Sequence, residues 1–243
     1  MQDFRILSAT LLVVLCIAVS VPAQDQQKER ASNDVYTVGG REVRIPPPEG
    51  FTDAFASLEK YTLLITATES PGLEIVASHV ENSIARRIEK GGNPPLDLYT
   101  KVSVDRQLKT VDETPELFAA TVAVLEKNFD TYLDPSLPLM KSVIRDTDQG
   151  LTAEYRREAK LDLKQPRRLG FFEKKADVFS ALMITDVQAF GRKKTMLTSL
   201  SLVNVNRRLL YVYGYKVFSS ESDIRALTDF TKKWTAAILA ANK

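Results

Sequence analysis

The chain has one histidine, His79, and the residue before it is Ser78. A nucleophile needs a base within hydrogen-bond reach, and many transition-metal sites need several imidazole or thiolate ligands. One histidine excludes any site built on two imidazoles of the same chain. Alternation over residues 73–80 predicts a strand, with Ile75, Ala77 and His79 opposed to Glu74, Val76 and Ser78, so the Ser78 and His79 side chains leave on opposite faces and cannot pair. His79 therefore reads as a half-buried strand histidine. No Gly-x-Ser-x-Gly elbow occurs anywhere in the chain.

Asp146-Thr147-Asp148-Gln149-Gly150 has the alternating carboxylates of a calcium loop. The sixth position, however, is Leu151 where glycine makes the turn, and the twelfth is Arg157 where a bidentate glutamate belongs. The segment reads as an acidic turn, and no metal or other cofactor is expected. Gly39-Gly40 and Gly91-Gly92 are isolated pairs without the following Lys-Ser/Thr of a phosphate cradle, so nucleotide binding has no support. The carboxylates Asp97, Asp105, Glu113 and Glu154 are available for hydrolysis, but the sequence does not bring any two of them together.

Two features could instead make a recognition surface. Tyr211, Tyr213 and Tyr215 share one face of a predicted strand 209–218 beside Arg207-Arg208, where flat rings could stack on sugars or bases and arginine could add hydrogen bonds. The same tyrosines fit equally under a helix, as core. From Arg156 to Lys194, eleven basic residues stand against five acidic ones, with Arg167-Arg168 at their centre. That surplus could face an anionic surface, or consist of solvated strand faces and turns.

The elements that must hold these residues begin after an address. Arg5 precedes the apolar run Ile6 to Val19, and Val21-Pro22-Ala23 leads into the polar Gln24-Asp25, the layout of a secretory signal peptide cleaved near Ala23. An uncleaved N-terminal anchor is the alternative. Cleavage leaves 220 of the 243 residues and removes Cys16, the sole cysteine, so the mature chain has neither a disulfide nor a thiol nucleophile. Loss of Asp3 and Arg5 keeps the net charge at +2.

Residues 24–34 read as a flexible tail and 35–243 as one α+β domain. Val35–Val38 and Glu42–Ile45 form a hairpin around Gly39-Gly40, stopped by Pro46-Pro47-Pro48. A helix is predicted over 54–66, a strand over 73–80, a helix from Asn82 or Ser83 to Lys90, and a strand over 98–104. Thr114-Pro115 opens a central helix with Phe118, Val122, Leu125, Phe129 and Tyr132 on one stripe. Residues 133–150 read as an irregular connection. Strands follow over 168–172, 178–185, 195–205 and 209–218, the last two joined by the tight turn Asn206-Arg207-Arg208. The chain ends on a helix capped by Ser220 and Asp223, with Ile224, Leu227, Thr231, Trp234, Ile238 and Ala241 on one face.

The hairpin running into Pro47-Pro48-Glu49-Gly50-Phe51, the consecutive antiparallel strands and the long last helix resemble the Mog1/PsbP-type α/β/α sandwich. The stretch Asn206-Arg207-Arg208-Leu209-Leu210-Tyr211-Val212-Tyr213 is similar to the polar turn and Leu-Tyr strand ahead of that group's last helix. Arg44 to Phe51 and Trp234 to Asn242 also resemble segments of exported bacterial proteins of unassigned activity. The resemblance implies a mainly antiparallel sheet flanked by helices and leaves the partner open, since such sandwiches bind very different molecules. The sequence thus points to an exported, non-enzymatic binding or accessory protein of the cell envelope, with a carboxylate hydrolase as the alternative. An envelope protein or an anionic surface is the expected partner and nucleic acid is not. The candidate contact residues are Arg167, Arg168, Arg207, Arg208, Tyr211, Tyr213 and Tyr215.

Overall fold

Gly39 and Gly40 adopt φ of 53° and 79°, the left-handed pair that closes a two-residue hairpin between β1 (Val35–Val38) and β2 (Arg41–Arg44). A Cβ on Gly39 would also lie 1.8 Å from the carbonyl oxygen of Lys109, so the turn is seated on the loop 105–114. The computed structural model describes residues 34–243 except 56, 71, 138–140, 142–143, 150–151, 153–161 and 190–191. The expected signal segment 1–23 and the expected tail 24–34, save residue 34, lie outside the described residues.

One eight-stranded antiparallel sheet follows: β3 (Phe51–Asp53), β4 (Leu73–Glu81), β5 (Leu98–Asp105), β6 (Asp162–Leu163), β7 (Arg167–Lys174), β8 (Val178–Ala189), β9 (Arg192–Val205) and β10 (Arg208–Val217). Its order is β3-β4-β5-β10-β9-β8-β6, with β7 also on the edge of β8. Two local meanders therefore meet at one distant seam, where Lys101 of β5 pairs with Tyr213 of β10. Asn206 and Arg207, at φ of 49° and 59°, make the expected turn before β10.

Helices cover both faces. On the front, α1 (Glu59–Ala67) and α3 (Pro115–Tyr132) bring Tyr61, Ile65, Phe118, Val122, Leu125 and Phe129 into one core with Leu200, Leu202 and the three β10 tyrosines. Thr114 caps α3 by accepting the Leu117 N–H at 3.2 Å. On the back, the C-terminal helix α4 (Ser222–Ala241) lays Trp234 and Ile238 on Val102, Val104, Val203 and Val212, joined by Val38, Val43 and Ile45 of the hairpin. Short α2 (Asn82–Glu89) sits beside β3 and β4. The chain is thus α+β, a large antiparallel sheet flanked by helices and ending on one.

Several expectations need correction. The first helix starts at Glu59 instead of 54, because Phe51–Asp53 pairs with β4 and the N–H groups of Ala54 and Phe55 bond to the Ser78 carbonyl. Residues 144–149 are helical, and Thr147 is buried among them. Asp146 and Asp148 therefore stand on a helix, not an acidic turn, and Asp146 pairs with Arg145 at 3.0 Å. His79 is fully buried at 0 % exposure, not half-buried. A bulge at Val76 explains the difficulty of reading this strand by strict alternation.

The β5–α3 loop forms a candidate binding site

Asp105 ends β5 and turns the chain by accepting the N–H groups of Gln107 (2.7 Å) and Leu108 (3.1 Å). The loop then runs to Glu113, whose N–H donates to the Arg207 carbonyl at 3.0 Å and whose carbonyl accepts from the Asn204 side-chain amide at 3.0 Å. Buried Arg208 fixes the other side. Its guanidinium donates to the carbonyls of Val38, Gly39 and Val111 and to Asp112 Oδ1 at 2.7 Å. Asp112 also takes Arg41 (2.8 Å) and Arg207 (3.1 Å), and the hydrogen bond from Arg208 is the main reason its carboxyl is held below the usual range.

This frame leaves a cavity of about 70 Å³ between the loop, the first turns of α3 and the sheet. Seven aliphatic side chains line it, among them Leu108, Leu117, Leu125 and Leu200, together with Tyr211, Thr121 and Glu113. Val111 and Leu117 are 36 % and 40 % exposed, which opens the apolar lining to solvent. Glu113 is buried, its Oε1 accepts a long 3.4 Å bond from the Thr121 hydroxyl, and desolvation raises its carboxyl above the ordinary value.

The residues singled out from the sequence fall in different places. Tyr211, Tyr213 and Tyr215 are buried under the front helices. Stacking on an external ring needs exposed faces, so these three act as core, with Tyr99 and Tyr215 stacked at 4.7 Å. Only Tyr211 reaches the cavity. Arg208 is the buried clamp, and half-exposed Arg207 joins it on Asp112. Arg167 and Arg168 lie on edge strand β7, where Arg168 forks onto Asp130 of α3 at 2.8 and 3.0 Å and covers the Phe171 ring. The arginine pairs 167–168 and 207–208 thus do not belong to one contiguous feature: one serves the sheet edge and the other the hairpin loop.

Of the four carboxylates considered for hydrolysis, Asp97 pairs with Lys216 at 3.3 Å and Asp105 holds its own turn. Glu113 is in the cavity, and Glu154 lies outside the described residues. The spacing Ser-x-x-Lys does occur, from Ser57 to Lys60, at the foot of α1, where the Ser57 hydroxyl donates to the Asp53 carbonyl at 2.5 Å. Among the described residues no group of three or more metal-binding side chains is found, and no helix is long and apolar enough to cross a membrane.

Sequence reasoning missed the cavity and the buried ion pair of Lys101 with Glu69, 2.9 Å apart. The Lys101 ammonium sits 4.9 Å from the Tyr213 ring centroid, and the Ser103 hydroxyl donates to Glu69 at 2.7 Å. The one available signal was Lys101 interrupting the otherwise uncharged run Leu98–Val104.

No family model matches the sequence, and no significant match is found among curated proteins. Two solved structures are similar. The Ran-binding protein Mog1p of Saccharomyces cerevisiae is 13% identical over 84% of this chain and 89% of its own, with a TM-score of 0.31. A mutant of protein Mog1 is 14% identical over 88% and 95%, with a TM-score of 0.32. Both carry the name of the Mog1 group that the sequence resembles. Ran binding belongs to the yeast protein, and so loose a likeness carries no argument about the partner of this chain.

Proposed function

We propose that this chain is an exported, non-enzymatic binding or accessory protein of the cell envelope, and that it engages its partner through the cavity beside the β5–α3 loop. One observation carries the reading: the cavity has an aliphatic lining, exposed apolar residues and a single carboxyl. Hydrolysis by paired carboxylates needs a second acid or base converging on the same cleft. Asp105, the nearest in sequence of the other three, is committed to the turn amides. An apolar pocket with one or two polar groups instead suits recognition.

The export part rests on the Arg5 to Ala23 layout. Intact-mass analysis of the exported protein is expected to give a chain beginning at Gln24, and retention of residues 1–23 would establish the anchor alternative. The binding part is tested by capture from the organism's own envelope with wild type and Leu117→Asp. A component held by wild type and lost from the variant is the expected result. Equal recovery by both removes the cavity from the reading.

A further inference from the structure

Glu113 is a carboxyl buried in an aliphatic pocket without a matching donor. Its one side-chain partner among the described residues is the Thr121 hydroxyl at 3.4 Å, well beyond the 2.7–2.8 Å typical of such bonds. No described lysine or arginine pairs with it: the nearby arginines converge on Asp112, whose carboxylate they share. A buried acid in this position is costly to ionise, and the cost is recovered when a cation with N–H donors enters beside it. The space next to it, about 70 Å³, has room for roughly five water-sized groups. Beside Glu113, Thr121 and the Tyr211 ring, Leu108, Leu117, Leu200 and Leu202 favour an aliphatic over a polar chain.

Deepening the binding reading above, on which it rests, we propose that this cavity takes a primary ammonium group carried on a short aliphatic chain of about four carbons, with Glu113 as the counter-ion and the leucines around the chain. The ammonium donates to the Glu113 carboxylate, and Thr121 keeps that carboxylate oriented. Two sources share this chemistry: a free alkylamine, and the amino terminus of a protein whose first residue is Leu or a similar aliphatic.

The test uses the purified protein with n-butylammonium, 1-butanol, the tripeptide Leu-Gly-Gly and its N-acetyl form, titrated calorimetrically near neutral pH. A bond to a charged group in a desolvated site predicts n-butylammonium at least about ten-fold tighter than 1-butanol. Glu113→Gln, which keeps the shape, should bring the two to within about two-fold of each other. If that variant does not fold, the wild-type ratio still decides. Free Leu-Gly-Gly binding more tightly than n-butylammonium and than its acetylated form assigns the group to a protein terminus, and the reverse order assigns it to a small amine. Equal binding of n-butylammonium and 1-butanol overturns the inference while leaving an apolar binding pocket. Binding of none of the four probes overturns both.

Discussion

Lys101 has 1 % of its side chain in contact with solvent and its partner Glu69 has 6 %, so each charge depends on the other for the solvation it lost. Lys101→Met should therefore cost about 3–5 kcal/mol, since it strands a buried carboxylate, whereas adding Glu69→Gln to it should recover much of that loss. Urea unfolding of the single and double variants measures this, and additive losses would mean that the two charges are solvated separately. His79 gives a pH-dependent case. Its Nδ1 is 3.0 Å from the Thr100 hydroxyl, its ring meets Trp234 edge-on at 5.5 Å, and Nε2 has no partner among the described residues. Desolvation lowers its pKa from 6.5 to about 3, so the fold holds it neutral while the unfolded chain takes up a proton below pH 6.5. Stability is fully present above that value and declines by about 1.4 kcal/mol per pH unit as pH falls toward the folded value. The stability gap between wild type and His79→Gln should thus shrink by about 2 kcal/mol between pH 6.5 and 5. A constant gap would show that the folded protein protonates His79.

Helices and strands whose signal is local were readable from the sequence, and those created by partners were not. Thr114-Pro115 with the stripe Phe118 to Phe129 specifies α3 without help, because cap, first-turn proline and apolar period all agree. The pair Gly39-Gly40 likewise fixes its own turn. By contrast, Phe51–Asp53 is a strand only because β4 pairs with it, and the alternation of β4 is broken by its bulge. The cavity was unreadable for the same reason, since Leu108, Leu117 and Leu200 come from a loop, a helix and a strand and no period links them. At Gly214, too, what decides is a partner from outside the strand. In the fold it is where α4 touches the sheet: a Cβ there would lie 2.7 Å from Ser199 Oγ and 3.1 Å from Leu227. Ser199 cannot yield easily, as it accepts the Gly214 N–H at 3.1 Å and bonds the Thr231 hydroxyl at 2.7 Å. Gly214→Ala is therefore expected to destabilise by about 1–3 kcal/mol through overpacking. An unchanged melting temperature would mean that α4 can lift off β10 freely.

Among the described residues of 156–194, several of the counted basic groups are paired. Arg168, Lys174, Lys175 and Lys193 each meet a carboxylate, on Asp130, Glu126, Glu173 and Asp186. Sedimentation with anionic vesicles should accordingly show weak binding at low salt that disappears near physiological salt, where screening acts over about 8 Å. Retention there, above that with neutral vesicles, would make the segment an anchoring surface. The two ends of the fold are tied more firmly than its charges. Asn242 at the end of α4 exchanges hydrogen bonds with the backbone of Arg44, and the Trp234 indole donates to the Pro46 carbonyl at 2.9 Å. Together with the β5–β10 seam, this sets the order of events on the ribosome. The amino-terminal hairpin and β3 to β5 are synthesised first; α1 and α3 can cover their front face early, but their back face and the free edge of β5 wait for β10 and α4, a delay of roughly 5 to 30 s at about 5–20 residues per second. Throughout that interval the nascent chain lacks the β5–β10 pairing that joins the two halves of the sheet. It also exposes β5 as an unpaired sheet edge, so a chain ending before Arg208 is expected to aggregate more readily than the full chain.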